Sequence, residues 1–171
     1  RLLRRFLVWR AQNLDTSTFL VLVAVLTGLI SGLVAVVLKN AAHAVRELVV
    51  AERLNDIYQV AYFLFPLVGI SIVMVLRRSL KWRMREGIPM ALSSIAKDGG
   101  IIPRSAMFTS FVGSAFTVGF GGSVGLEGPT VGTGAAIGSN LARWLRLGFK
   151  QRILLISCAT AGALGSIFGT P

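Results

Sequence analysis

An all-α, polytopic membrane fold follows from three observations on this 171-residue chain. Hydrophobic residues make up 54% of it and charged residues 15%, and the mean hydropathy is +0.72, outside the range of soluble globular domains. Residues 16–38, 57–76 and 153–171 carry no charged side chain, and each meets the roughly 20-residue length that crosses about 30 Å of hydrocarbon. The basic residues gather between these spans.

That last point decides what the net charge of +11 means. Arg1, Arg4, Arg5 and Arg10 form one cluster; Arg77, Arg78, Lys81, Arg83 and Arg85 a second; Arg143, Arg146, Lys150 and Arg152 a third. Residues 39–56 balance their charges instead, with Lys39, Arg46 and Arg53 against Glu47, Glu52 and Asp56. Basic clusters flanking apolar spans mark cytoplasmic loops. The N-terminus is therefore expected in the cytoplasm, with the first span running out and the second back. A nucleic-acid face would interleave basic and aromatic residues on one surface, and no nucleic-acid partner is expected. Cys158, the single cysteine, lies in an apolar run and reads as a buried structural thiol. No cleavable signal peptide is visible. The chain opens on arginine and stops straight after an apolar segment, so it reads as a piece of a longer protein.

Residues 1–12 alternate arginine with Leu, Phe and Trp9, as an amphipathic helix on the inner membrane surface does. Asp15, Thr16 and Ser17 offer N-caps for a helix over about 17–53. Within it Gly28 and Gly32 have a small-xxx-small spacing, which fits close helix contact in lipid or ordinary membrane-helix glycine. His43, beyond the apolar part, reads as solvated or interfacial rather than a metal ligand. A second helix is expected over 57–80 with Pro66 as a kink. A short helical run over 89–97 covers about half a bilayer at 1.5 Å per residue, and Asp98-Gly99-Gly100 ends it. Further helices are expected over 104–120, 129–145 and 150–166.

Glu127 is the one charged residue between Arg104 and Arg143. An acid inside such a segment costs roughly 2.5–3.5 kcal/mol on insertion scales and marks a functional site. It lies in a glycine-rich break, Gly121 to Thr130, between two apolar segments. Gly87-Ile88-Pro89 and Glu127-Gly128-Pro129 share a pattern: glycine shortly before proline, with proline at the first helical position. Broken helices whose N-termini end within a membrane build anion sites from free amides and the positive dipole end. Two other classes fit poorly. An intramembrane enzyme using Glu127 as base needs a partner acid, metal cluster or serine–histidine pair, and the sequence offers His43 alone. A P-loop needs Gly-Lys-[Ser/Thr], which the glycine-rich break lacks.

Gly125-Leu-Glu-Gly-Pro129, continuing Thr-Val-Gly-Thr-Gly-Ala-Ala-Ile-Gly138, closely resembles the CLC family of chloride channels and chloride/proton antiporters, whose pattern here is G-x-E-G-P at a helix start. Arg85-Glu-Gly-Ile-Pro89 matches that family's G-S-G-I-P at three of five positions, and Phe168-Gly-Thr-Pro171 looks like its F-N-A-P turn. The resemblance implies the N-terminal portion of a CLC membrane domain over residues 1–171, with tilted, broken and re-entrant helices. It also implies chloride or a related anion as the transported ligand, no cofactor, protons as a second cargo, and a homodimer in the cell or inner membrane. Glu127 would be the external gating glutamate: ionised, it occupies the anion's place; protonated, it releases. The anion-binding set would be Gly125, Leu126, Glu127 and Gly128 with Glu86, Gly87, Ile88 and Pro89. The departure is Glu86, where the family has a serine whose hydroxyl binds the anion. A carboxylate there repels chloride unless protonated, paired with Arg85 or Arg83, or turned away. The favoured reading has Glu86 facing the cytoplasm and the nearby amides doing the binding. Exchange is favoured over passive conduction, because a titratable gate is the natural coupling element.

Overall fold

The computed structural model describes residues 15–50, 64–79, 87–122 and 125–169, and among them the regular structure is helical throughout. Six helices lie among the described residues: α1 Thr16–Val50, α2 Phe65–Ser79, α3 Gly87–Lys97, α4 Ser105–Gly119, α5 Glu127–Trp144 and α6 Phe149–Phe168. The amphipathic segment expected over residues 1–12 lies outside the described residues, as do Arg83, Arg85 and Glu86.

The distribution of residue types between inside and outside is the reverse of a soluble protein's. Along α1 the buried stripe is Phe19, Val23, Thr27, Ser31, Ala35, Leu38 and Ala42, while Val21, Leu22, Val25, Leu26, Leu29 and Leu33 are bare, Leu33 at 68% exposure. Small and hydroxylated residues also fill the interior of α5: Thr130, Thr133, Ala135, Ala136, Ser139 and Ala142 are all buried. In water this arrangement would forfeit the hydrophobic driving force. In lipid it is the expected one, because aliphatic side chains are at home against acyl chains and helices associate through small residues and interhelical hydrogen bonds. By length and composition α1 and α6 are each able to span a membrane.

Close backbone approach sets the packing of α1, α5 and α6. Gly28 of α1 meets Gly162 of α6 backbone to backbone, and a Cβ on Gly32 would lie 2.6 Å from Ser166 Oγ. Ser31 Oγ donates to Ala159 O at 2.6 Å across the same interface. The Gly28/Gly32 spacing is thus a helix-contact device. Cys158, beside it on α6, is half-buried rather than buried.

Three element starts differ from the sequence reading. Pro66 is the second residue of α2, and residues 57–63 of the helix expected over 57–80 lie outside the described residues; proline is tolerated in the first turn because the amide it lacks has no partner there. Likewise α3 begins at Gly87 and α5 at Glu127, so Pro89 and Pro129 each stand third rather than first. α3 ends at Asp98-Gly99-Gly100, where both glycines have positive φ, +59° and +73°, and Gly100 N donates back to Ser94 O at 2.7 Å. α5 ends in a Schellman arrangement around Arg146, φ 53°: Leu147 N donates to Ala142 O at 2.9 Å and Arg146 N to Arg143 O at 3.1 Å.

Ser139 and Arg152 lock α3, α4 and α6 onto the central α5. Ile102 N donates to Ser139 Oγ at 3.0 Å, and Ser139 Oγ donates onward to Gly100 O at 2.6 Å. Arg152 Nη1 donates to Gly99 O at 2.8 Å and Nη2 to Leu147 O at 3.4 Å. Ser139 is fully buried, so removing its hydroxyl strands an amide and a carbonyl together. Ser139→Ala should cost about 1–3 kcal/mol, read as a lower thermal unfolding midpoint of the detergent-solubilised protein. An unchanged midpoint would mean that the two stranded groups find other partners.

Candidate functional site

The two glycine–proline segments, forty residues apart in sequence, meet at their helix starts. Gly87 has φ +66°, a left-handed conformation that glycine adopts at little cost. A Cβ there would lie 3.1 Å from Gly128 O and 3.3 Å from Gly128 C. One turn into α5, a Cβ on Gly132 would lie 3.0 Å from both Gly87 Cα and Gly87 N, and 3.3 Å from Ser110 Oγ of α4. Glycine is required at positions 87 and 132 because the first turns of α3 and α5 touch through their backbones.

This junction borders a cavity of about 250 Å³ lined by Gly87, Ile88, Pro89, Ser110, Gly128 and Pro129. None of those side chains carries a charge. The field in the cavity comes instead from the positive ends of two helix dipoles, each equivalent to roughly half an elementary charge. Leu126, at the N-cap of α5, makes no side-chain capping bond, and Thr130 N is already taken by Leu126 O at 3.0 Å. Pro129 has no amide. The first-turn amides of α5 that a ligand could meet are therefore those of Glu127 and Gly128. The arrangement suits an acceptor without protons of its own, an anion above all.

Glu127 opens α5 and is exposed. Its side chain folds back so that the carboxylate occupies the space where a side chain on Gly125 would begin, with Cδ 2.9 Å from that point. Glycine at 125 is thus explained by room for the carboxylate, and Gly121 earlier in the loop is left-handed, φ +85°. Glu127 does not line the cavity. It stands one residue from Gly128, which does.

Of the eight residues expected at the site, the fold brings together Gly87, Ile88, Pro89 and Gly128 around the cavity. Gly125, Leu126 and Glu127 stand beside it on the adjoining strand of chain, and Glu86 is outside the described residues. Sequence reasoning missed Ser110 and Pro129 as lining residues. Pro129 was in view as part of the helix start. Ser110 is one of several hydroxyls in α4 and carries no local mark.

The family described as "Voltage gated chloride channel" matches residues 68–171, more than half of the chain. A protein of Ralstonia nicotianae called "Putative chloride channel protein ClcB-like" is 30% identical over 107 residues, which cover 60% of this chain and 25% of that protein. The chain thus matches about a quarter of that relative's length. No solved structure matches it. The match takes in all of α3, α4, α5 and α6, with both glycine–proline helix starts in their order, and so this chain belongs to the voltage-gated chloride channel family.

Proposed function

We propose that this chain forms the first part of a multi-pass membrane protein that moves chloride across the bilayer, with its N-terminus in the cytoplasm. The anion passes the junction of α3 and α5, and Glu127 is a protonatable gate above it. The observation that carries this reading is the convergence of two helix N-termini on a cavity whose described lining residues are uncharged, with the Glu127 carboxylate beside it. Partial positive charge fixed in backbone holds an anion without the tight binding that a lysine or arginine would impose. Conduction needs that weakness, because an ion must leave as readily as it enters.

The carboxylate supplies the switch. Ionised, it competes for the same amides that a chloride needs; protonated, it has lost the charge that draws it there. Each protonation event then admits an anion, which favours chloride/proton exchange over passive conduction. The chemistry takes place without a cofactor, the partners being anion, proton and lipid, with a second copy of the protein implied by family kinship.

Reconstitution of the whole protein in liposomes tests the reading. An outward chloride gradient should drive chloride efflux together with proton uptake into the vesicles against no imposed proton gradient. Sustained chloride flux with no proton movement would leave a passive channel. No chloride flux from folded protein would sink the transport reading altogether.

A further inference from the structure

Several hydroxyls in the described helices solve their hydrogen-bonding problem in the same way. Thr27 donates to Val23 O, Ser71 to Leu67 O, Ser114 to Ser110 O, Thr117 to Gly113 O, Thr130 to Leu126 O and Ser166 to Gly162 O, each four residues back. Two buried hydroxyls, Ser110 and Thr133, have no hydrogen-bond partner among the described residues, and of the two it is Ser110, 2% exposed, that lines the cavity. Its Oγ lies at the α3–α5 junction, within 3.3 Å of the position a Cβ on Gly132 would take. A buried hydroxyl left unpaired is costly unless something fills the gap.

We propose that the Ser110 hydroxyl is the side-chain ligand of a small monovalent anion held in the cavity between the first turns of α3 and α5. The proposal rests on the anion-site reading given above and adds to it a residue from a third helix. The neighbouring groups fix the chemistry of the ligand. Around the cavity, the polar side chain is Ser110; Gly87, Ile88 and Gly128 offer backbone, and Pro89 and Pro129 offer no amide. A species shared between helix N-terminal amides and a hydroxyl donor must accept from both. Among the described residues, a cation would face two positive dipole ends with no carboxylate lining the cavity. A multiply charged anion such as sulfate or phosphate would face no lysine or arginine among the described lining residues. Chloride, bromide and nitrate fit, and the volume is far above the roughly 10–15 Å³ that one water needs. Ser110 donates its proton to the anion, replacing the bond to Ala106 O that its helix position would otherwise favour.

The test is anion binding to the whole protein in detergent, by isothermal titration with chloride in a gluconate background, alongside thermal unfolding with and without chloride. In Ser110→Ala the chloride Kd should rise roughly tenfold, the size expected for one hydrogen bond to a charged partner. The chloride-free variant should melt no lower than the wild type, since it has lost an unpaired hydroxyl and no bond. Ser114→Ala, whose hydroxyl is already satisfied by Ser110 O at 2.6 Å, should bind chloride as the wild type does. If Ser110→Ala binds chloride with unchanged Kd, the hydroxyl faces water and the proposal is wrong. Equal weakening in Ser114→Ala would also overturn it, tracing the effect to the shape of α4. A wild type that binds no chloride at all would remove the anion-site reading beneath it.

Discussion

Glu127→Gln is expected to keep or raise chloride flux while abolishing its pH dependence and its coupled proton movement. The substitution changes charge with almost no change in shape, so the side chain still packs over Gly125, where the carboxylate now lies. What it loses is the ability to ionise. In the wild type, flux should rise as pH falls, because protonation withdraws the charge that competes with chloride for the α5 amides. In the variant the gate is neutral at every pH, so the profile should be flat and match the acid limit of the wild type. The measurement is chloride efflux from liposomes over a pH series, with proton uptake followed in parallel. Collapse of flux in a folded Glu127→Gln protein would mean that the carboxylate holds the site together instead of closing it.

Glu127, the proposed gate, stands out in the sequence because its signal is local. A lone acid in a long uncharged segment, flanked by glycines and a proline, marks itself. The cavity below it was legible only in part. Gly87-Ile88-Pro89 and Glu127-Gly128-Pro129 showed two helix starts of one kind, but nothing in either shows that Gly87 lies against the backbone of Gly128; that contact depends on how α3 and α5 pack. Pro66 was misplaced for a related reason: the apolar run continues through it, and periodicity alone does not tell a proline inside a helix from one in its first turn. Ser110 gave no signal, since Thr109, Ser114 and Thr117 share its helix and its chemistry. What separates it is an acceptor it fails to find, and that is a property of the fold.

The reversed interior makes folding depend on glycines where helix backbones touch, and Gly138, like Gly162, is among the tightest of these sites. A Cβ there would lie 2.5 Å from Leu155 O, 2.8 Å from Ile156 Cα and 2.9 Å from Ile156 N. All three are backbone atoms of α6, so no rotamer change relieves the clash. α6 would have to move away by about an ångström to reach ordinary contact distance, yet it is held by Ser31 to Ala159 O and by Arg152 to Gly99 O. At Gly134, one turn back, a Cβ would lie 3.0 Å from Ala159 O, so the crowding runs along the interface. Alanine in place of glycine gains up to about 1 kcal/mol in helix propensity. Forcing a methyl into a filled site costs typically about 1–3 kcal/mol and occasionally more, and a clash with unyielding backbone belongs at the top of that range. The loss wins, and Gly138→Ala should unfold at a clearly lower temperature and yield less monodisperse protein on size exclusion. Gly128→Ala is the matched control. A Cβ at Gly128 meets nothing within 4 Å, so stability should stay within about 0.5 kcal/mol, while a methyl at this lining position of the proposed anion cavity should slow chloride flux. Two glycines ten residues apart in one helix should thus separate cleanly, one failing in the folding measurement and the other in transport. Wild-type stability in Gly138→Ala would mean that α5 and α6 do not meet backbone to backbone in the membrane.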